Sequence, residues 1–338
     1  MMSGTKKYMQ RQAGVAIVFL LIVSAGAPAF GGTEAPNGIL SIIFENDVFY
    51  NTDCDYTNGA ALVWVPTKDA PPDWTLHVAH WIPWFPEDGI LSHGYAIGQN
   101  MYTPRNITLA DPPRDDRPYA GWLYGAIGVG AETGQQLDQF VLTAGVIGPA
   151  SHAEQTQKLV HRTIDTDIPR GWDTQLRNEP GLNIMYERSW RKLAAKTFDG
   201  HAFDLTPHLG GALGNVYTYA NTGLTLRFGE SLPLDYGPPR IQPSTPGSYH
   251  FIPVDKFTWY LFASVDGRAV ARNIFLDGNT FEHSRSVKKE PFVGDAQWGF
   301  VLTWRNYRLG LTHVVRTREF KGGNGSDKFG SINLSMGL

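Results

Sequence analysis

Oxygen-bearing side chains are concentrated in two neighbouring segments of this 338-residue chain. Glu45-Asn46-Asp47 closes one apolar stretch, and Asp53-Cys54-Asp55-Tyr56-Thr57-Asn58-Gly59 opens the next. Carboxylate and amide oxygens at this density are typical ligands of a hard cation such as calcium, which takes roughly six to eight of them. The same residue types also populate turns. The pattern therefore supports two interpretations, a metal site and a turn.

A second set of polar residues has the spacing of a helix. Gly148-Pro149 is followed by Ser151-His152-Ala153-Glu154, a capping box that predicts a helix with Ser151 as its N-cap and an end near Ile164. Gln157 and His161 are four residues apart and therefore lie on one face of that helix. A neutral imidazole is the usual general base near pH 7. A histidine on a polar helix is equally compatible with an ordinary surface residue.

Several other hydrolase signatures are absent from the sequence. There is no G-x-S-x-G nucleophile elbow, which removes support for a serine α/β-hydrolase. Cys54 lies between Asp53 and Asp55, whose negative charge disfavours the thiolate that a cysteine nucleophile requires. The H-E-x-x-H spacing of a zinc hydrolase is absent as well.

The N-terminal segment has the pattern of an exported protein. Lys6, Lys7 and Arg11 precede an apolar run at 15–23, and the small residues Ala25-Gly26-Ala27-Pro28-Ala29 follow it. We predict a signal peptide at 1–29, whose removal leaves a single domain over 30–338. An N-terminal anchor helix is the alternative.

Composition excludes three broad classes of protein. The chain is 42% apolar and 18% charged, which is enough apolar side chain to exclude a disordered protein. A mean hydropathy of -0.24 and a single long apolar run exclude a membrane protein of many helices. Lys plus Arg is 29 against 32 for Asp plus Glu, with no basic block to bind phosphates, so we expect no nucleic-acid partner.

Period-two alternation, the pattern of a strand with two unlike faces, dominates the rest of the chain. It is clearest at 259–272, 296–305, 307–316 and 331–338. About twelve strands are predicted, near 39–50, 56–66, 92–102, 118–131, 137–148, 180–192, 201–213, 215–228, 256–272, 293–305, 306–318 and 329–338. The segments 67–91, 103–117, 149–179, 229–255 and 273–292 are rich in Pro and Gly and are predicted to be loops.

Three features favour a membrane barrel over the alternative, a secreted soluble β-protein. The strands are about ten residues long, as a tilted bilayer crossing requires. The last strand reaches the end of the chain, which suits closure against the first strand. Tryptophans are expected at strand ends as interfacial girdles, namely Trp64, Trp74, Trp81, Trp84, Trp122, Trp190 and Trp304. We predict an all-β fold, a transmembrane antiparallel β-barrel of about twelve strands with a short inserted α-helix near the site.

Five motifs in order carry a resemblance to a known family. They are Glu45-Asn46-Asp47, Asp55-Tyr56-Thr57-Asn58-Gly59, Asp116-Arg117-Pro118-Tyr119-Ala120-Gly121-Trp122, Gln157-x-x-x-His161-Arg162 and Gly171-Trp172-Asp173-x-Gln175-Leu176-x-Asn178-Glu179-Pro180-Gly181. With them the chain resembles the lipid A 3'-O-deacylase family of outer-membrane proteins over nearly all of 30–338.

The resemblance implies a calcium-dependent hydrolase of the outer membrane that removes the 3'-linked acyloxyacyl group of lipid A. Its site would lie near the outer leaflet, between the barrel wall and the inserted helix. The family's site residues fall on Asn46, Asp47, Thr57, Gln157 and His161. Asp167 stands where a relative has Glu, and with Asp47 it is the expected metal ligand. The implied partners are lipopolysaccharide and outer-membrane lipid, and the protein is expected to be a monomer.

These inferences combine into one mechanistic hypothesis. His161 removes a proton from water, the water attacks the ester, and calcium held by Asp47 stabilises the oxyanion. Gln157 orients water or substrate, while Asn46 and Thr57 donate or accept nearby hydrogen bonds. The alternatives are a non-catalytic barrel, whether channel, receptor or purely structural, and an outer-membrane phospholipase.

Overall fold

A computed structural model describes most of the chain, namely residues 36–46, 55–230, 232–233, 235–237, 253–323 and 325–338. The predicted signal peptide and two of the acidic candidates, Asp47 and Asp53, lie outside these residues, as does Cys54. Within the described ranges no helix has the length and apolar character needed to cross a membrane.

One antiparallel sheet contains thirteen strands among the described residues. They are β1 (Gly38–Asn46), β2 (Asp55–Pro66), β3 (Ile90–Thr103), β4 (Ala120–Thr133), β5 (Gln136–Ile147), β6 (Glu179–Trp190), β7 (Ala194–Phe198), β8 (His201–Gly214), β9 (Tyr217–Glu230), β10 (Val254–Asn273), β11 (Phe292–Arg305), β12 (Tyr307–Arg316) and β13 (Asp327–Gly337). Twelve of them form a closed wall, because β1 pairs with β13 and β6 pairs with β8. Strand β7 is only a hairpin arm on β8. The predicted twelve-stranded barrel is confirmed.

The wall has two chemically different faces, as the alternation predicts. Outward positions carry exposed apolar side chains such as Ile97, Leu213 and Val265, the last two 69% and 58% exposed. Inward positions carry buried polar and charged side chains such as Glu187 and Asp266. Residues paired across neighbouring strands share a face, so the strand register assigns each wall residue to the lipid side or to the lumen.

The two ends of the barrel differ in what they carry. Gly38 and Leu338 lie at one end, here called the terminal end, together with the tight turns at 134–135 and 306 and the connection 67–89. The opposite end, here called the far end, carries the connections 104–119, 148–178, 215–216, 274–291 and 317–326 among the described residues. Membrane barrels place tight hairpin turns in the periplasm and their longest loops outside the cell. The longest connection, 148–178, lies at the far end, which is therefore assigned to the outer leaflet.

The predicted inserted helix is present, but its capping box is wrong. Helix α2 spans Ala153–Thr163, and helix α1 lies earlier in the chain at Asp73–Ala79. The N-cap of α2 is His152, in a left-handed conformation with φ of 57°, and its side chain makes no capping bond. Ser151 ends a short 3-10 turn that begins at Pro149, and its hydroxyl donates to the Gly148 carbonyl at 2.6 Å. The Ser151 hydroxyl is therefore bonded to the Gly148 carbonyl and does not cap α2.

The predicted tryptophan girdle is only partly correct. Trp190 ends β6 and Trp304 is the second-last residue of β11, as expected. Trp74 instead lies in α1, which interrupts the predicted loop 67–91, and Trp81 and Trp84 follow that helix. Trp122 occupies an inward position of β4 and is buried in the lumen, since its side chain is only 2% exposed.

A network of charges crosses the lumen near the far end. Asp295 on β11 accepts hydrogen bonds from Arg316 at 2.8 and 2.9 Å and from Arg268 at 2.9 Å. Arg316 lies 3.8 Å from Glu319, which in turn accepts from Arg117 at 2.6 Å. Arg117 belongs to the connection before β4, so the chain of charges joins opposite walls. Burial opposes ionisation of Glu319, but the charges of Arg117 and Arg316 outweigh it and hold the pKa of Glu319 below its usual range.

Removing the centre of this network is expected to destabilise the barrel. Asp295→Ala leaves Arg268 and Arg316 buried without the carboxylate that bonds to both of them, which costs about 3–5 kcal/mol of unfolding free energy. The control is Glu290→Ala, because Glu290 pairs at 2.8 Å with Arg318, whose side chain is 49% exposed, and such surface pairs contribute about 0–1 kcal/mol. Urea unfolding in lipid vesicles, followed by tryptophan fluorescence, measures both. Equal losses in the two variants would contradict this account of the lumen.

Candidate active site

Helix α2 lies against the outside of the barrel, not in its lumen. Met101 on β3 and Gly121 on β4 are paired at outward positions of the wall, and Gln99, also outward, donates to the Ser151 carbonyl at 2.6 Å. A Cβ atom on Gly121 would lie 2.2 Å from Ser151 Oγ and 2.3 Å from Ala153 Cβ. The missing side chain of Gly121 is therefore what allows α2 to begin in contact with the wall.

A small core of its own holds α2 in place. Met101, Ile107, Tyr119, Ala153 and Trp172 form a buried cluster on the outer face of the far end. Backbone bonds join the same segments, since Arg170 N–H donates to Ile107 at 2.9 Å and Leu176 N–H donates to Tyr119 at 2.9 Å. Two of the motifs that carried the family resemblance, at 116–122 and 171–181, are thus the segments that position the helix.

The end of α2 sets the orientation of His161. The helix ends at Thr163 with Ile164 as its C-cap. Asp165 then adopts a left-handed φ of 51°, and Thr166 N–H donates back to the His161 carbonyl at 3.0 Å, as in a Schellman ending. This reversal places the Asp167 carbonyl 2.5 Å from His161 Nδ1. Because a carbonyl only accepts, Nδ1 carries the hydrogen. The neutral ring therefore has Nε2 as its basic nitrogen.

Gln157 is held by an indole on the neighbouring segment. Trp172 Nε1 donates to Gln157 Oε1 at 2.8 Å, and both side chains are buried. An indole N–H can only donate, so this bond fixes which end of the amide is oxygen. The Nε2 group of Gln157 is buried and makes no hydrogen bond to any described residue. An unsatisfied buried donor costs about 1–3 kcal/mol, which makes this N–H group a candidate ligand-binding donor.

Asn46 and Thr57 belong to neighbouring strands at the far end. Asn46, the last residue of β1, pairs with Asn58, and Asn58 pairs with Met101 under α2. Asn46 is therefore two strand spacings from Met101, about 10 Å between Cα atoms. The register of β2 shifts between Tyr56 and Asn58, which makes Thr57 the extra residue of a β-bulge, a common device beside active sites. The structure thus brings Asn46, Gln157 and His161 to one outward face.

The expected calcium site is only partly described. Asp167 has an exposed carboxylate that makes no hydrogen bond to any described residue, and it lies beside His161. Its oxygens and the amide of Asn46 are donors of the type calcium binds. No group of three or more His, Cys, Asp or Glu residues able to hold a metal occurs within the described ranges, while Asp47 lies outside them. The donor type fits calcium, and the ligand set stays a prediction.

Comparison with known proteins identifies the family. A family model described as "Outer membrane protein LpxR" matches residues 15–338. The chain belongs to the LpxR family. The match spans nearly the whole sequence, so this LpxR family member is a β-barrel protein of the outer membrane, and the resemblance seen in the sequence is confirmed. No curated protein matches the chain.

One solved structure shares the fold. The structure described as "LpxR from Salmonella typhimurium" superposes with a TM-score of 0.73 at 18% identity, covering 89% of this chain and 100% of that one. The β domain of the Bordetella autotransporter BrkA gives a TM-score of 0.43 at 9% identity and covers 90% of this chain and 100% of that one. The former supports the twelve-stranded architecture of the LpxR family member.

The sequence predicted the polar residues of the candidate site but not the residues that orient them. Trp172 and Gly121 both stood in motifs of the family resemblance and received no role. The usable signal was a Gly-Trp pair in a polar loop, because a buried indole N–H requires an acceptor nearby. The close approach at Gly121 had no signal in the local sequence.

The wall contact at Gly121 can be tested with a matched pair of substitutions. Gly121→Ala is expected to lower stability by about 1–3 kcal/mol, as overpacking does, and to expose the segment 148–178 to proteolysis. Gly125→Ala, on the same face of β4, is expected to be neutral, since its nearest atom would lie 3.8 Å away. Limited proteolysis of the folded barrel measures the difference. Equal cleavage of the two variants would show that the wall does not hold α2 in this way.

Proposed function

We propose that this protein hydrolyses an acyl ester of lipid A and removes the 3'-linked acyloxyacyl group. One observation carries the proposal: Gln157 and His161 lie on the outward face of the wall at the end assigned to the outer leaflet. A substrate that moves laterally in the bilayer reaches that face without entering the lumen. Lipid A is the ester-bearing lipid that the family resemblance implies for this leaflet.

The proposed reaction uses His161 as a general base. Nε2 takes a proton from a water molecule, and the water oxygen attacks the ester carbonyl carbon. The tetrahedral intermediate then collapses, the bond between carbon and the sugar oxygen breaks, and the proton on Nε2 passes to that oxygen. The products are a free carboxylic acid and a lipid A hydroxyl. The Asp167 carbonyl supports this step, because it keeps the hydrogen on Nδ1 before and after proton transfer.

Gln157 is proposed to stabilise the negative charge that develops on the carbonyl oxygen. Its buried Nε2 group is one hydrogen-bond donor without a partner among the described residues, and Trp172 keeps it from flipping. A donor held in advance stabilises the oxyanion without reorganisation. Asn46 and Thr57 are assigned hydrogen bonds to the substrate around the same carbonyl. Trp172 is a positioning residue, since it acts through Gln157.

Calcium is part of the proposal as a cofactor. Asp47 and Asp167 would hold it, with oxygens near Asn46 completing the set. When bound, the ion would supply Lewis-acid stabilisation of the oxyanion in addition to Gln157.

Mass spectrometry of lipid A tests the activity and the base together. Cells that express the wild-type protein are expected to lose the 3'-linked acyl groups, and cells that express His161→Ala are expected to keep them, with a folded barrel in both. His283→Ala is the matched control, because His283 is exposed on another connection of the far end. Deacylation by the His161 variant would remove this residue as the base. Release of fatty acid from glycerophospholipid alone would favour the phospholipase alternative.

Metal removal tests the cofactor in the same assay with purified protein. Excess chelator is expected to abolish deacylation, and added calcium is expected to restore it, because the metal contributes to oxyanion stabilisation. Activity that is unchanged in chelator would leave Gln157 as the oxyanion donor and remove calcium from the scheme.

The role of Trp172 is tested with a double-mutant cycle. Gln157→Leu is expected to lower kcat by roughly 100- to 1,000-fold, as loss of an oxyanion donor does. Trp172→Phe is expected to lower kcat by about 10-fold or more, because it removes the hydrogen bond that holds Gln157 while its ring still packs. Since Trp172 acts through Gln157, adding the second change to the first should cost little further activity. Tyr119→Phe, which removes a hydroxyl from the same cluster, is the control with unchanged kcat. Additive losses in the double variant would refute the coupling.

A further inference from the structure

The connection between β2 and β3, residues 67–89, runs over the outside of the barrel. Ala79 is the last residue of α1, and Phe85 follows it in the chain. Both side chains are buried against Val129 and Phe140. Val129 and Phe140 are paired across β4 and β5 at outward positions. The connection starts and ends at the terminal end of the barrel, opposite the candidate active site. It therefore covers part of the lipid-facing wall on the periplasmic side.

The tryptophans of this connection mark the depth of the membrane interface. Trp74, Trp81 and Trp84 are 50%, 76% and 59% exposed although they sit on a packed segment. On the wall beneath them, Tyr186 faces outward and meets the Trp84 ring edge-on at 6.0 Å. Tryptophan and tyrosine with one apolar and one polar side are typical of the boundary between hydrocarbon and headgroups. The cluster thus lies at the headgroup level of the periplasmic leaflet.

A charged pair is built into the same part of the outer wall. Asp138 is buried, and it accepts hydrogen bonds from Gln136 at 2.7 Å, from Arg188 Nε at 2.7 Å and from the Tyr186 hydroxyl. Arg188 also donates through Nη2 to the Trp84 carbonyl at 2.7 Å. Its side chain keeps 24% exposure, and its Nη1 group makes no bond to any described residue. A cation on a lipid-facing wall is costly unless it meets headgroups or an anion.

An apolar groove begins at this arginine. It has a volume of about 680 Å³, within the roughly 300–1,000 Å³ of ligand sites, and it lies between the connection and strands β6 and β8. Ile82 and Trp84 form one side, Ile184, Leu209 and Leu213 line the wall, and Arg188 and Trp190 stand at its end. The groove therefore joins a surface for a hydrocarbon chain to a guanidinium donor at headgroup depth.

We propose that this groove is a binding site for a glycerophospholipid of the periplasmic leaflet. One acyl chain lies between Ile82 and Leu213, and the phosphate accepts from Arg188 Nη1. The charge complementarity with Arg188 selects a phosphate-bearing lipid, and the depth given by the tryptophans selects a phospholipid over lipid A, which occupies the opposite leaflet. The site is at the other end of the barrel from His161, so it stands whether or not the deacylase proposal holds.

Native mass spectrometry of the full chain tests the site. Delipidated protein in detergent, titrated with phosphatidylethanolamine, is expected to retain one lipid. The double variant Asp138→Asn/Arg188→Gln removes the cation without leaving an unpaired charge, and it should weaken retention at least tenfold. The matched control is Glu290→Gln/Arg318→Gln, which neutralises an outward pair at the far end and should retain lipid as the wild type does.

Further variants and a competitor test the headgroup contact and the acyl-chain contact separately. Leu213→Trp, which fills the groove without touching the ion pair, should also lose the lipid, whereas Leu226→Trp on the same face of β9 should keep it. Heat-modifiable migration in gels confirms that each variant is folded. Inorganic phosphate should not displace the bound phospholipid, because it lacks the acyl chain that the groove holds. Equal retention by the two double variants, or displacement by inorganic phosphate at the same concentration, would overturn the proposal.

Discussion

The closed ladder of backbone hydrogen bonds is the constraint on which the rest of this molecule depends. A bilayer offers no water to an unpaired N–H or C=O group, so a sheet that crosses it must have no free edge. The pairings of β1 with β13 and of β6 with β8 meet that requirement. Once the ladder is closed, every side chain of the wall points either to lipid or to the lumen, and each function must be built on one side or the other.

The lumen side is used for stability. Charges that would be costly in hydrocarbon pair there with one another, as Asp295 does with Arg268 and Arg316. The network extends through Glu319 to Arg117 and so ties two connections together across the far end. Charged pairs that bridge the lumen are more typical of a barrel with a packed interior than of a barrel that conducts ions. The candidate active site lies instead outside the wall, where a membrane lipid can reach it.

The outer side becomes a site only where additional chain packs on it. At the far end, Gly121 allows α2 to touch the wall, a Schellman ending turns Asp167 back to His161, and Trp172 orients Gln157. At the terminal end, the connection 67–89 packs on Val129 and Phe140 and encloses a groove beside Arg188. Both arrangements follow the same rule: a smooth strand surface gains a pocket when a loop covers outward residues that would otherwise face lipid.

The sequence by itself determined the fold class and the approximate strands, and it predicted a set of polar candidate residues, because alternation and residue type are local properties. It also placed Gln157 and His161 on one helical face, as α2 confirms. The helix cap at Ser151, the strand-end positions of Trp74, Trp81 and Trp84 and the girdle role of Trp122 were wrong, since they depend on partners that come from elsewhere in the chain. Only the tertiary structure decided that α2 lies outside the barrel, that Trp172 holds Gln157 and that Arg188 stands at a groove. These contacts join residues distant in sequence, and no local pattern encodes which of them meet.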